Sequence, residues 1–157
     1  KELYEVELSD LMKKEFSGDF GLAMEFLALR PDAAEVKMLR RAHQGVGADV
    51  NIIWSILLGR TNEEMERIKK GYFHRYTKDL GKILAGELHG NMERLIFNAM
   101  QANEQEYDPQ FHTAAQAVED AEFIHSKGQG KSFGTDEKSI FRVLCAAPKE
   151  HIENINK

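Results

Sequence analysis

The same short elements occur twice in this chain, roughly 70 to 90 residues apart, and any fold it adopts must accommodate that duplication. Lys14-Glu15-Phe16-Ser17-Gly18 is answered by Gly86-Glu87-Leu88-His89-Gly90, with Glu15 and Glu87 72 residues apart. The glycine loop His43-Gln44-Gly45-Val46-Gly47-Ala48-Asp49 finds its end again in Phe133-Gly134-Thr135-Asp136-Glu137. A third match ties the two copies together. Phe20, Leu22, Ala23, Phe26 and Leu27 follow Gly18, as Met92, Leu95, Ile96 and Met100 follow Gly90.

Within each copy, apolar residues fall at helical spacing in short blocks. Leu8, Leu11, Met12 and Phe16 form one stripe, and Phe20 to Leu29 the next. Arg30-Pro31-Asp32 opens a new unit, because proline disfavours helix in the residue before it. Val36, Leu39 and Ala42 then run up to the glycine loop, and Ile52, Ile53, Ile56 and Leu57 follow, with Trp54 placed among them in the core. Thr61-Asn62-Glu63 reads as a cap for the helix carrying Met65, Ile68, Tyr72 and Tyr76; Leu80, Ile83, Leu84 and Leu88 carry the one before Gly90. The fold class expected is all-α, with five short helices to a unit. Such helices are marginal alone and must pack together. The polar stretch 101–112 reads as a linker, giving the closing helices of a first unit at 1–30, a complete unit at 31–100 and the opening part of another at 113–157.

The chain opens and ends inside repeat units, so it reads as a segment of something longer. At 157 residues and 42% hydrophobic it has enough apolar material for a core. A net charge of -5 speaks against nucleic acid as a partner, and an anionic membrane would also be weakly repelled unless a cation lay between the surfaces. The single cysteine, Cys145, cannot form an internal disulfide and reads as a buried small residue beside Val143 and Leu144. With no apolar run long enough for a membrane span, a cytoplasmic protein is expected.

The glycine loop and the glutamate carry the chemistry. Glycine tolerates backbone dihedrals that turn several carbonyls toward one point, and carbonyl oxygens suit a hard cation. Calcium takes about six to eight oxygens with flexible geometry, two of which a single carboxylate can supply. The carbonyls of His43, Gly45 and Gly47 with the carboxylate of Glu87 make one candidate calcium site. Magnesium fits worse, since it demands tight octahedral geometry. One formal charge implies weak affinity, with positions open to a phosphate or carboxylate of an anionic phospholipid.

Here the residues resemble a known family. Gly45-x-Gly47-x-Asp49, the helix Ile52 to Arg60, the stretch Ile68 to Tyr76, Asp79-Leu80 and Gly86-Glu87-Leu88-His89-Gly90 look like an annexin repeat, and the resemblance spans the whole chain. It implies five-helix units, normally four to a curved array whose convex face carries calcium loops and meets phospholipid. It carries His43, Gly45 and Gly47 over as carbonyl ligands and Glu87 as the acidic ligand, and adds Gly130, Ser132 and Gly134 as donors in the following unit. Glu15 falls on the same acidic position, without its loop. Arg60 is expected to pair internally. Ala48 stands where the family has threonine, leaving Asp49 to cap the next helix. An exposed side chain at His43 would reach headgroups.

Calcium-dependent binding to anionic phospholipid membranes is therefore the expected function, peripheral and without catalysis. The alternative is an annexin-fold cytoskeletal or scaffolding module with weak or no calcium dependence. Cytoskeletal proteins, and self-association through the incomplete units, are further partner candidates. Lys69, Lys70, Arg75 and Lys78 read as a solvated face, whereas Lys127, Lys131 and Lys138 lie nearer a loop edge where phosphate would arrive; Phe133 is placed between lipid contact and burial. Glu122-Phe123-Ile124-His125 has a di-iron spacing, but that chemistry needs a second such pair and two more glutamates.

Overall fold

The computed structural model describes residues 6–44, 47–130 and 134–157. These residues form ten helices and no strand: α1 (Leu8–Glu15), α2 (Gly18–Leu27), α3 (Pro31–Ala42), α4 (Val50–Leu57), α5 (Asn62–Tyr76), α6 (Leu80–Glu87), α7 (Gly90–Met100), α8 (Ala114–Lys127), α9 (Glu137–Ala146) and α10 (Lys149–Ile155). The duplication is visible in the backbone. Helices α1 and α6 each have eight residues and each ends on its glutamate. The next helix then opens on a left-handed glycine, Gly18 at φ 62° and Gly90 at φ 66°.

Local signals fix several helix starts. Pro31 occupies the first turn of α3, where its missing N–H costs nothing. At α5 the Thr61 hydroxyl accepts from Glu64 N at 3.3 Å while the Glu64 carboxylate accepts from Thr61 N at 3.0 Å, a reciprocal capping box. Thr113 caps α8 by accepting from Gln116 N at 3.2 Å.

The chain divides into two compact units, 1–56 with 67–79, and 57–66 with 80–157, so that α4 and α5 each contribute to both. In the first, α1 packs on α2, and the buried Glu25 of α2 pairs with Lys37 of α3. Val36, Leu39, Ala42, Ile53, Ile56, Ile68 and Tyr72 are buried. Helices α3 and α5 approach closely at Gly71, where an added Cβ would lie 3.2 Å from Val36 Cγ2. In the second unit α7 packs on α6 and α9, and α8 on α9 and α10.

Three expectations are corrected. Trp54 is 42% exposed rather than buried. The inward stripe of α4 is Ile53, Ile56 and Leu57; Trp54 lies at its margin, and the indole N–H donates to Asn51 Oδ1 at 3.2 Å on the outer side. The α1 and α2 stripes are also largely uncovered among the described residues, with Leu8, Leu11, Phe16, Phe20 and Leu27 exposed while Ser9, Gly21 and Glu25 are buried. Cys145 is half-buried, and that burial pushes its thiol pKa up.

Residues 101–112 contain no helix, yet they are fastened to the second unit. Asn62 Nδ2 donates to Glu104 O at 2.8 Å and Asn62 Oδ1 accepts from Glu104 N at 3.0 Å, while Gln105 N donates to Ala146 O at 2.8 Å. His112, itself buried, accepts from Asp108 N through Nδ1 at 3.0 Å. The linker is a strap held at several points.

Candidate functional site

Two loops, one in each compact unit, close in the same way. After α3, the chain returns so that Asp49 N donates to Ala42 O at 2.7 Å; after α8, Asp136 N donates to Lys127 O at 2.8 Å. In both, the acceptor is the last residue of the incoming helix and the donor is the aspartate that starts the outgoing one. Two residues before each aspartate stands a glycine in left-handed conformation, Gly47 at φ 83° and Gly134 at φ 70°. A side chain at either position would meet no neighbour within 4 Å, so the backbone dihedral alone selects glycine there.

Each aspartate also caps its outgoing helix. Asp49 Oδ1 accepts from Ile52 N at 3.2 Å, which is the duty expected of it once Ala48 supplies no hydroxyl. Asp136 Oδ1 accepts from Ser139 N at 3.3 Å, and its other oxygen accepts from the Ser139 hydroxyl at 2.9 Å. Replacing Asp49 by alanine is expected to cost about 1 kcal/mol, the usual loss for an N-cap, measured as a lower urea midpoint at unchanged slope.

The donors chosen from sequence fall as follows. His43 ends α3 as its C-cap and is buried, its imidazole Nε2 bonded to the Tyr72 hydroxyl. That corrects the expectation of a lipid-facing side chain: the ring points inward, and only the backbone of residue 43 remains a candidate donor. Gly47 carries the left-handed turn. Gly45 lies outside the described residues, as do Lys131, Ser132 and Phe133. Gly130 is needed for a second reason, close approach. An added Cβ there would lie 2.9 Å from His125 O and 3.1 Å from Ser126 Cα, while Gly130 N donates to His125 O at 2.8 Å. Lys127 places its ammonium 5.2 Å from the Phe123 ring centre.

Glu87 is exposed at the C-terminal end of α6, with no ion-pair partner among the described residues. His43 and Gly47 belong to the first unit and Glu87 to the second. The helix end matters electrostatically, since aligned peptide dipoles place about half a negative charge at a C-terminus, where a carboxylate is disfavoured. The equivalent Glu15 is compensated by Lys13 and Lys14 in the last turn of α1; α6 has no basic residue in its last turn. Among the described residues no three His, Cys, Asp or Glu side chains gather into a metal cluster. A carbonyl loop with one carboxylate needs no such cluster, and that donor set suits a hard, oxygen-loving cation.

Comparison with known proteins completes this picture. The family model "Annexin" matches residues 33–98. Annexin C1 of Cryptococcus neoformans var. grubii is 34% identical over 148 residues, covering 94% of this chain and 31% of that protein. The chain belongs to the annexin family. Human annexin A13 is 31% identical over 145 residues, covering 92% of this chain and 45% of its own length. The solved structure of annexin III superposes with a TM-score of 0.86 at 26% identity, over 97% of this chain and 46% of that one. This annexin chain therefore spans less than half the length of those relatives.

Sequence reasoning missed the Tyr72 anchor of His43. Tyr72 falls on a helical stripe and His43 in the glycine loop, but 29 positions separate them and neither pattern discloses the other. It also missed His151, buried in α10, whose Nε2 lies 2.7 Å from Asp120 Oδ2 of α8.

Proposed function

We propose that this annexin chain binds calcium through the α3–α4 loop and Glu87 and, through the bound ion, anionic phospholipid. The observation that carries the reading is Glu87: an exposed, uncompensated carboxylate on the negative end of a helix, 40 residues beyond a loop glycine held left-handed at Gly47. A cation there relieves repulsion that α6 itself leaves uncorrected. The backbone carbonyls of His43, Gly45 and Gly47 complete the oxygen set, and Tyr72 supports it by holding the residue that begins the loop. Gly130, Ser132 and Gly134 are the corresponding donors in the following unit.

Calcium supplies a divalent bridge between these oxygens and the phosphate or carboxylate of a lipid. Linkage makes the effect reciprocal, so that lipid raises the affinity for calcium as much as calcium raises that for lipid. Residues 31–100 act as one full repeat in this reading, and the protein is a cytoplasmic one that becomes peripheral at membranes when calcium rises. Co-sedimentation with phosphatidylserine vesicles tests it. Binding should require calcium, reverse in chelator and fall off on vesicles of phosphatidylcholine alone. Binding unchanged by chelator would instead favour a cytoskeletal or scaffolding module.

A further inference from the structure

The first compact unit contains a basic cleft that the calcium reading does not use. It has a volume of about 340 Å³ and lies between the end of α1, the middle of α2 and the end of α3. Four cationic side chains line it, Lys13, Lys37, Arg40 and Arg41, against a single acid, Glu25. In a chain of net charge -5 that is a local reversal of sign.

The charges are not equivalent. Lys37 is spent on Glu25, with which it pairs below the surface. Arg40 is oriented from two sides: its guanidinium lies 5.3 Å from the Tyr76 ring centre, and the Gln44 amide, with its oxygen turned toward the guanidinium, accepts from Nε at 3.0 Å and Nη2 at 3.1 Å. Stacking and hydrogen bonding hold the planar fork in one attitude, which reduces the entropy lost on binding an anion. Lys13 and Arg41 have no carboxylate partner among the described residues and are exposed at the rim. Lys13, Arg40 and Arg41 therefore line the cleft without an ion-pair partner among the described residues. Compensation of the α3 dipole accounts for Arg40 and Arg41 in part, but half a charge does not balance them, and Lys13, which also offsets Glu15 at the end of α1, adds a third positive charge to the same hollow. The remaining wall is apolar, from Leu22 and Phe26.

We propose that this cleft binds a phosphate monoester carried on a small polyol body, independently of calcium. The dianion meets Arg40 and Arg41 through charge-assisted hydrogen bonds, and Lys13 closes the open side as a mobile point charge. The volume is several times that of a phosphate, so a multiply phosphorylated ring is accommodated where a bare phosphate would leave the walls unfilled. The same chemistry is offered by a soluble inositol phosphate and by a phosphorylated inositol headgroup.

The test is run in chelator, so that its failure leaves the calcium reading standing and the converse also holds. Inositol trisphosphate is titrated calorimetrically into the chain, and co-sedimentation is measured on phosphatidylcholine vesicles with and without phosphatidylinositol bisphosphate. Saturable binding of the trisphosphate is expected, weakened about ten-fold by Arg41→Gln and again by Lys13→Gln, each removing one charge-assisted contact. Lys149→Gln, an equal loss of charge on α10, should leave it unchanged. Vesicle binding that tracks the same variants identifies the lipid as an accessible source; free ligand binding without vesicle binding assigns the cleft to the soluble form. No binding of the trisphosphate, vesicle binding alone, or an equal loss in Lys149→Gln would overturn the proposal, since each reduces the cleft to general surface charge.

Discussion

Replacing Glu87 by glutamine should raise the calcium concentration needed for vesicle binding by about ten- to a hundred-fold, the effect of losing a charged ligand worth roughly 1.5–3 kcal/mol. Glutamine keeps the length and one oxygen, so the change isolates charge. The same substitution should leave the calcium-free protein as stable as before, or more so by a few tenths of a kcal/mol, because it removes an anion from the negative end of α6. Opposite signs in the two measurements separate a lost ligand from a damaged fold. Glu15→Gln serves as the comparison. Its helix end already carries Lys13 and Lys14, and its calcium response should match the unaltered chain. A calcium requirement unmoved by Glu87→Gln would take Glu87 out of the site.

The helices were legible because each signal that defines them is local. Pro31 opens α3, Thr61 and Glu64 cap α5, and Asp49 and Asp136 cap the helices that leave the two loops. The duplication was equally legible, since a left-handed glycine has few substitutes: Gly18 matches Gly90, and Gly47 matches Gly134. Periodicity defines a stripe but draws its edges poorly. Trp54 sits one position past Ile53, close enough to the apolar stripe of α4 to be counted with it and far enough to face out. In α1 and α2 the stripes are present but little among the described residues covers them, and no pattern within a helix reports whether a neighbour exists.

Side-chain partners at long range were not legible at all. The strap at 101–112 reads as a linker because it is polar and lacks apolar spacing, yet its backbone is held by Asn62 and Ala146, some 40 positions away on either side. The basic cleft has the same character. Arg40 and Arg41 look like ordinary compensation of a helix end, and only folding brings Lys13 and Tyr76 to the same hollow. Charge counted along a chain cannot disclose charge gathered in space.

Tyr72 joins core and loop, and its substitution should produce the largest loss of stability. The ring is fully buried, lies 5.0 Å from the Tyr76 ring and bonds through its hydroxyl to His43. Tyr72→Ala is expected to cost about 3–5 kcal/mol, as other large aromatic truncations in cores do. Tyr72→Phe keeps the packing and loses the hydrogen bond, at about 1–3 kcal/mol. Urea titrations of both proteins partition the two contributions. Alkaline pH gives an independent check, because burial pushes the Tyr72 hydroxyl pKa up against a smaller opposing pull from Arg40. A phenol with a raised folded pKa stabilises the fold fully below its unfolded value, near pH 10, and that contribution is lost as pH rises beyond it. Cys145, also raised, titrates in both proteins and cancels in the comparison. The stability gap between the unaltered chain and Tyr72→Phe should therefore narrow above about pH 10. A gap that stayed constant would mean that the hydroxyl is not desolvated. The calcium requirement should also rise in Tyr72→Phe, by less than in Glu87→Gln, because the loop's first residue loses its anchor while every ligand oxygen remains.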